Sequence, residues 1–242
     1  MDRRNFVKLI GAGAAVVAIN PSSIGQTLFA ADGSMYKTYE KVQLVGKDGS
    51  PIKLSDLKEE VNYVFNYPYA STPCFIINLG QKTESKVALV TDEGDKYEWS
   101  GGIGKNGSVV SFSAICAHAL THPNPSDSFI QYVPRGGKTM AYKEAGVIVC
   151  SAHLSAYDPK KGALNLAGEA KKPLASIVLE TGADDTIWAV GVLGSDMFHQ
   201  FFKGFKPELK ERYGSRRKAK KLVSISAPTV VLSEYSADII QY

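Results

Sequence analysis

Two short stretches of the chain each place a cysteine and a histidine directly after a strand-like run. Cys116 and His118 lie in SFSAICAHALTHP, and Cys150 and His153 lie in VIVCSAHLSAYDP, with 31 residues between His118 and Cys150. A side chain that directly follows a strand lies in a loop at one end of a sheet, where functional side chains are often presented. The fold is therefore constrained to bring two thiols and two imidazoles into a pair of loops.

Most of the remaining chain has the pattern of short strands. Eight apolar segments of four to nine residues alternate with turn pairs such as Asp48-Gly49 and Asn106-Gly107. With 242 residues and 44% hydrophobic content, the chain can bury a core of domain size. We predict an all-β fold, an antiparallel β sandwich over residues 36–193, with a small subdomain around the two loops over residues 112–175.

The last part of the chain, residues 194–242, has a different pattern and is predicted to be a C-terminal extension. A single helix is expected from about Ser195 to Tyr213, with phenylalanines on its buried face and with Gly204 and Pro207 as interruptions. A final strand pair is expected around LVSISAPTVVLSEY.

The N-terminus has the layout of a twin-arginine export signal. Arg3 and Arg4 precede an uncharged run rich in alanine, glycine and valine. A basic end before a buried helix is the simpler alternative. We predict that residues 1–31 are the signal, so that the protein is exported to the periplasm or to the outer face of the cytoplasmic membrane. Residues 9–31 carry no charge, so an uncleaved membrane anchor stays open.

Three cysteines exclude a disulfide framework, since at most one disulfide can form. Cys74, in STPCFIINL, is interpreted as a small buried hydrophobic residue. His122, beside a proline, is expected at the surface, and His199 is expected to pack or to be exposed on the C-terminal helix.

Basic residues are concentrated in KGFKPELKERYGSRRKAKK, residues 203–221, which holds nine basic and two acidic residues. A solvated helix face is the first interpretation, and a docking surface for anionic lipid or an acidic partner is the second. No nucleic-acid partner is expected, because one basic run without a binding motif is little evidence for one.

The order of the two cysteines and two histidines along the chain indicates the kind of metal centre. A common zinc finger has both cysteines in its first loop, whereas here each loop holds one cysteine and one histidine. A two-iron cluster divides its ligands in this way, with two thiolates on one iron and two imidazoles on the other. Two coincidental pairs, or a structural zinc, remain as alternatives.

These motifs resemble those of the Rieske iron-sulfur proteins, over about residues 60–190. That family has C-x-H-L-G-C in its first loop and C-P-C-H-G-S-x-Y-D in its second, where this chain has CAHALT and CSAHLSAYD. The resemblance implies one 2Fe-2S cluster per chain. It assigns the cluster ligands, which are Cys116, His118, Cys150 and His153.

The resemblance also implies residues around the cluster. Ser155 and Tyr157 match the serine and tyrosine whose hydroxyls donate hydrogen bonds to the cluster sulfurs and raise its reduction potential. AGEAKKPLAS, residues 167–176, is similar to the proline-containing segment that covers the cluster, with Pro173 as the counterpart of the proline.

The chain departs from the family pattern in three places. Thr121 and Ala152 occupy the positions of a disulfide that ties the two loops in respiratory members, and Leu154 stands where a glycine is usual. The interval between the loops is about twice the usual length, so residues 123–145 are predicted to be an insertion near the cluster.

The resemblance implies an electron-transfer protein that has no substrate chemistry of its own outside a complex. Our first hypothesis is the iron-sulfur subunit of a quinol-oxidising, cytochrome bc-like respiratory complex. Its partners would be quinol, a membrane-bound cytochrome b-type subunit and a cytochrome c-type electron acceptor. The second hypothesis is the small subunit of an exported molybdenum oxidoreductase of the arsenite oxidase type, with a molybdopterin subunit as partner.

A secreted binding module with a structural zinc is the third hypothesis. A cytoplasmic ferredoxin of a ring-hydroxylating oxygenase disagrees with the export signal. A catalytic Rieske oxygenase needs a further iron site of two histidines and a carboxylate. Only His122 and His199 are left for such a site, and neither has the required carboxylate context.

Overall fold

The computed structural model describes residues 27–29 and 35–242. The predicted export signal, residues 1–31, lies outside the described residues except for the short strand β1 (Thr27–Phe29). Strands make up 38% of the structure and helices 14%, which confirms the predicted all-β class. In the part of the chain that is described, no helix is both long and apolar enough to cross a membrane.

Seven strands form a sheet that closes on itself into a barrel. In order around the ring they are β2 (Met35–Val45), β14 (Ile187–Leu193), β13 (Ser176–Thr181), β7 (Val109–Ser113), β4 (Pro73–Asn78), β3 (Tyr63–Asn66) and β15 (Ser226–Val231). β15 pairs antiparallel with β3 and parallel with β2, and these two pairings close the ring. The sheet is therefore a barrel and not an open layer of a sandwich, because a strand near the C-terminus fills the gap between β2 and β3.

A second, four-stranded sheet packs on the barrel. Its strands, in spatial order, are β12 (Leu164–Ala167), β11 (Ser155–Asp158), β10 (Val147–Cys150) and β9 (Ile130–Val133). β9 lies inside the predicted insertion, residues 123–145, so the insertion extends this sheet. Two further pairs complete the strands: β5 (Val87–Val90) with β6 (Lys96–Trp99), and β8 (Asp127–Ser128) with β16 (Asp238–Ile239).

The period of two along a strand divides the apolar residues between two cores. On β4, Ile76 belongs to the core inside the barrel, together with residues such as Leu44 and Ile187 from strands on other sides of the ring. Phe75 belongs to the core between the barrel and the second sheet, where it packs in one cluster with Ile148. Burial of one such large side chain contributes about 1.5–3 kcal/mol, so this shared core holds the two sheets together.

The predicted single C-terminal helix is wrong, because the segment forms two helices. These are α1 (Phe198–Gly204) and α2 (Lys206–Tyr213). The helix breaks at this point because Pro207 lacks the N–H that a continuous helix needs, whereas proline is well tolerated in the first turn of a new helix. A short helix α3 (Arg216–Ala219) follows.

The predicted final strand pair is also wrong. Only β15 forms from that stretch as a barrel strand, and the chain continues into a short helix, α4 (Leu232–Tyr235). β16 then pairs with β8 beside the second sheet. Residues 194–242 thus contribute a strand to the barrel as well as the helices that pack on it.

Candidate metal centre

Two loops meet where the barrel and the second sheet adjoin. The first loop, residues 114–122, follows β7, and the second loop, residues 151–154, joins β10 to β11. The first loop closes on itself, because Cys116 N–H donates to the Thr121 carbonyl at 2.8 Å and Leu120 N–H donates to the Cys116 carbonyl at 3.1 Å. This closed turn fixes the backbone on both sides of His118.

The second loop is a tight hairpin with one strained position. Cys150 and Ser155 are paired at the ends of its two strands. Leu154, where the family pattern has glycine, adopts a φ of 53°. A non-glycine residue in this left-handed region costs about 1–2 kcal/mol, so the turn keeps a glycine-type backbone although its residue is leucine.

The two site thiols are buried side by side. Cys116 and Cys150 are each no more than 1% exposed, and both are free thiols. Hydrogen bonding with the Cys150 thiol lowers the pKa of Cys116 to about 6, and the same interaction raises the pKa of Cys150. The hydrogen bond between the two thiols means that their sulfurs are neighbours, and it favours the thiolate form of Cys116, which is the form that binds a metal.

The two site imidazoles lie side by side at the surface. The ring centroids of His118 and His153 are 4.9 Å apart with an angle of 82° between the ring planes, and both residues are exposed. The structure thus brings together all four side chains that the sequence predicts as ligands. It sorts them into a buried thiol pair and an exposed imidazole pair.

This sorting fits a two-iron cluster. Each iron of such a cluster takes only two protein ligands, so the chain has to offer two pairs and not one convergent set. The chemistry of the donors agrees with the geometry, because thiolates and imidazoles suit the two different irons of the cluster.

The hydroxyl of Tyr157 is placed to donate to a site sulfur. It lies 3.3 Å from Cys116 Sγ and accepts a hydrogen bond from the Ala117 N–H, also at 3.3 Å. Because the tyrosine oxygen is the acceptor for Ala117, its own hydrogen is free for the sulfur. Burial raises the pKa of Tyr157, so the hydroxyl keeps that hydrogen at physiological pH.

Ser155 is fully buried beside the second loop. Its Oγ accepts a hydrogen bond from the Ala170 N–H at 3.2 Å, which leaves the hydroxyl hydrogen available for another acceptor. Ala170 belongs to the segment that is predicted to cover the cluster, residues 167–176, which we call the cover segment and which includes the buried Pro173. Ser155 therefore connects the cover segment to the second loop.

Gly168 allows the cover segment to approach the second loop closely. Its φ is 81°, and a Cβ added there would lie 2.5 Å from Ser155 Cα and would also overlap the Leu154 carbonyl oxygen. These are backbone atoms, which cannot move aside as a flexible side chain can. The position requires glycine both for its conformation and for this contact.

We expect Gly168→Ala to lower stability by about 1–2 kcal/mol from the positive φ alone. Calorimetric melting of the cluster-loaded protein measures this loss. Gly94→Ala is the control, since Gly94 also has a positive φ of 91° but has no neighbour within 4 Å of its added Cβ. The two variants share the conformational cost, so equal losses of stability would show that the close approach at Gly168 is unimportant.

His122 is not at the surface, so that expectation is wrong. Its side chain is 3% exposed and packs edge-on between Phe201 of α1 and Phe205, with ring centroids at 4.7 and 4.6 Å. Its Nδ1 lies 2.9 Å from the Leu120 carbonyl oxygen, and its Nε2 lies 3.0 Å from Glu208 Oε1 of α2. His122 therefore joins the first loop to the C-terminal helices.

Both hydrogen-bond partners of His122 are acceptors. A carbonyl oxygen and a carboxylate only accept hydrogen bonds, so each ring nitrogen of His122 faces an oxygen that takes a donor. In agreement, the hydrogen bond from His122 holds the pKa of Glu208 below its ordinary value. Arg212 also contacts Glu208, at 3.2 Å. The first loop is thus tied to α2 by a partly buried ion-pair network.

The remaining cysteine and histidine lie apart from the site. Cys74 is fully buried in the barrel, where its thiol donates to the Tyr67 carbonyl at 3.0 Å, which confirms its interpretation as a core residue. His199 is exposed on α1, as expected. Thr121 and Ala152, which occupy the family's disulfide positions, line one cleft of about 240 Å³ together with His122.

The site holds two buried thiols and two exposed imidazoles, in two loops beside a tyrosine and a serine hydroxyl. These features are those of the Rieske-type iron-sulfur proteins, a class that carries a 2Fe-2S cluster and transfers electrons. The chain is 29% identical over 197 residues to the iodate reductase subunit IdrB of Denitromonas iodatirespirans, covering 80% of this chain and 82% of that relative.

No protein-family model matches the chain. Among solved structures, the chain is similar to the soluble domain of Rieske protein II from Sulfolobus acidocaldarius. That match has 21% identity and a TM-score of 0.44, and it covers 64% of this chain and 78% of the solved one.

Proposed function

We propose that Cys116 and Cys150 hold one iron of the cluster and that His118 and His153 hold the other. The observation that carries this assignment is the separation of a buried thiol pair from an exposed imidazole pair. The cluster, when bound, takes up and releases one electron. The protein keeps water away from the sulfur end and leaves the imidazole end open to a partner.

The exposed imidazoles are the proposed route for electrons into and out of the protein. They are the only predicted ligands at the surface, and Leu154 beside His153 is also exposed, at 38%. An apolar side chain next to two rings is suited to close contact with a partner protein. The buried Tyr157 hydroxyl stabilises negative charge on the Cys116 sulfur and so favours the reduced state.

We further propose that the protein is the small electron-transfer subunit of an exported molybdenum oxidoreductase that acts on an oxyanion. Its relative is a subunit of an iodate reductase, and the match covers most of both chains. Reduction of iodate removes oxygen atoms from an oxyanion. Arsenite oxidase carries out the opposite kind of reaction, because it adds oxygen to its substrate. This relative favours the molybdenum hypothesis over the quinol-oxidising one.

The direction of electron flow then depends on the partner subunit. In a complex that reduces its substrate, the chain receives electrons from a cytochrome c-type or quinol-derived donor and passes them to the molybdopterin subunit. In an oxidase the flow is reversed, with a cytochrome c-type protein as acceptor. In this proposal a twin-arginine signal directs export of the protein to the periplasm, so the complex lies on the outer side of the cytoplasmic membrane.

The test of this proposal is purification of the native complex, followed by metal analysis and electron paramagnetic resonance. We expect about two irons per chain, a Rieske-type signal and co-purification with a molybdopterin protein. Co-purification with a cytochrome b would instead restore the quinol-oxidising hypothesis. Zinc without iron or labile sulfide would contradict the cluster assignment itself.

We expect Tyr157→Phe to lower the reduction potential and leave the fold unchanged, because the ring is kept and only the hydroxyl near Cys116 Sγ is lost. A hydrogen bond that strengthens by about 1–2 kcal/mol on reduction corresponds to about 40–90 mV for one electron. A redox titration followed by electron paramagnetic resonance measures the shift. Tyr97→Phe is the control, a buried tyrosine outside the site, and an equal shift in that variant would contradict the assignment.

A further inference from the structure

The helices α2 and α3 carry a surface of unusual charge. We call it the basic surface and define it by the exposed lysines and arginines of residues 203–221. Among the described residues, none of these side chains forms an ion pair with a carboxylate, and Glu211 is the one exposed acid among them. The members of the basic surface are Lys203, Lys206, Lys210, Arg216, Arg217, Lys218, Lys220 and Lys221.

The basic surface lies at the end of the barrel that carries the first loop. The helix α2 contacts that loop directly, through Glu208 and His122. The end of the basic surface contacts the turn before β4, where Ala70 N–H donates to the Lys221 carbonyl at 2.8 Å. The same turn leads into Pro73, whose carbonyl accepts from the Ala114 N–H at the start of the first loop.

The distance from the exposed imidazoles to the basic surface is within the reach of one protein interface. His118 precedes His122 by four residues, so their Cα atoms are at most about 14 Å apart. Lys206 and Lys210 lie two residues on either side of Glu208, on the exposed part of α2. A standard interface buries about 800 Å² on each partner, a patch of about 16 Å radius, so one partner can cover both features.

We propose that the basic surface is the docking site for an acidic face of the redox partner protein. Opposite charges steer two proteins into contact and orient them. Here they bring the partner to the end of the molecule where His118 and His153 are exposed. An anionic membrane would also match the charge, but a membrane on this face would compete with the partner for the imidazoles. The inference rests on the proposed function, because it assumes that electrons cross at those imidazoles.

The test compares two forms of one redox protein that differ in surface charge. Native horse cytochrome c is basic, and its succinylated form is acidic. We expect the reduced protein to transfer electrons to the acidic form at least tenfold faster at low ionic strength, with the advantage lost as salt screens the charges. Equilibrium binding of the ferric acidic form, measured by sedimentation, gives a second readout that needs no cluster.

Matched variants separate the basic surface from overall charge. Lys206→Glu with Lys210→Glu is expected to remove most of the preference for the acidic form. Lys58→Glu with Lys105→Glu makes the same change in net charge but lies near the opposite end of the barrel, where β7 begins and β4 ends. This control is expected to keep the preference.

Two results would overturn the proposal. Equal effects of the two double variants would mean that only net charge matters. The second result has two parts: the protein sediments with phosphatidylglycerol vesicles in a way that depends on Lys206 and Lys210, and it shows no preference between the two forms of cytochrome c. That result would mean that the basic surface binds lipid. Failure of the proposed function can be distinguished from failure of the docking proposal. If the proposed function is wrong, the unmodified protein lacks the electron paramagnetic resonance signal. The sedimentation assay needs no cluster, so it would still measure docking.

Discussion

Replacing Cys150 by serine is expected to abolish the cluster, with iron falling from about two atoms per chain towards none. The thiol of Cys150 is buried against that of Cys116, and the proposed iron takes both. A serine hydroxyl has nearly the same size but is a hard oxygen donor that stays protonated, whereas iron-sulfur clusters select soft thiolates. The fold is expected to remain, because the substitution adds no bulk to the core.

Cys74→Ser is the control for this prediction. Cys74 is buried to the same extent, and a serine there can still donate to the Tyr67 carbonyl, as the thiol does. We expect this variant to keep its iron and its electron paramagnetic resonance signal. Iron analysis and circular dichroism on both variants separate loss of the cluster from loss of the fold. A full signal in the Cys150 variant, or its loss in the Cys74 variant, would contradict the assignment of the thiols.

The fold class and the proximity of the site residues could be predicted from local patterns. Alternating apolar residues predict strands, and two loops that each follow a strand predict a meeting of thiols and imidazoles. The closure of the barrel could not be predicted in this way. It depends on β15 pairing with β2, and the two strands are separated by about 180 residues, a distance over which no local pattern carries information.

The position of His122 shows the same limit at the level of a side chain. A histidine followed by proline in a loop after a ligand motif has the pattern of a surface residue. Its burial depends on Phe201, Phe205 and Glu208, which come about 80 residues later in the chain. The sequence predicts that this stretch is helical, but it gives no signal for the break into α1 and α2 or for what their apolar side chains pack against.

His122→Phe is expected to lower the melting temperature by about 4–8 °C. The phenylalanine keeps an aromatic ring between Phe201 and Phe205 but leaves the Leu120 carbonyl and Glu208 without their donor. Loss of one partner of a fully buried pair costs about 3–5 kcal/mol. Because Glu208 is partly exposed and keeps Arg212, we expect about 2 kcal/mol, and each kcal/mol shifts the melting temperature by about 2–4 °C in a chain of this size.

His199→Phe is the matched control for the His122 variant. It makes the same substitution on an exposed histidine of α1, so its effect is expected within about 0.5 kcal/mol. Calorimetric melting of the cluster-loaded protein compares the two. Equal shifts would mean that the hydrogen bonds of His122 contribute nothing and that the ring alone fills the space.

The pH dependence of the His122 contribution gives an independent check, because its direction follows from Glu208. The hydrogen bond from His122 lowers the pKa of Glu208 from its ordinary value of 4.5. A carboxylate with a lowered pKa in the folded state stabilises the protein above the unfolded pKa, and this stabilisation is lost as the pH falls through the folded pKa. The difference in melting temperature between the unmodified protein and His122→Phe should therefore be present at pH 6 and narrow below about pH 4.5. A difference that stays constant over this range would mean that His122 stabilises the first loop by packing and not through its hydrogen bond to Glu208.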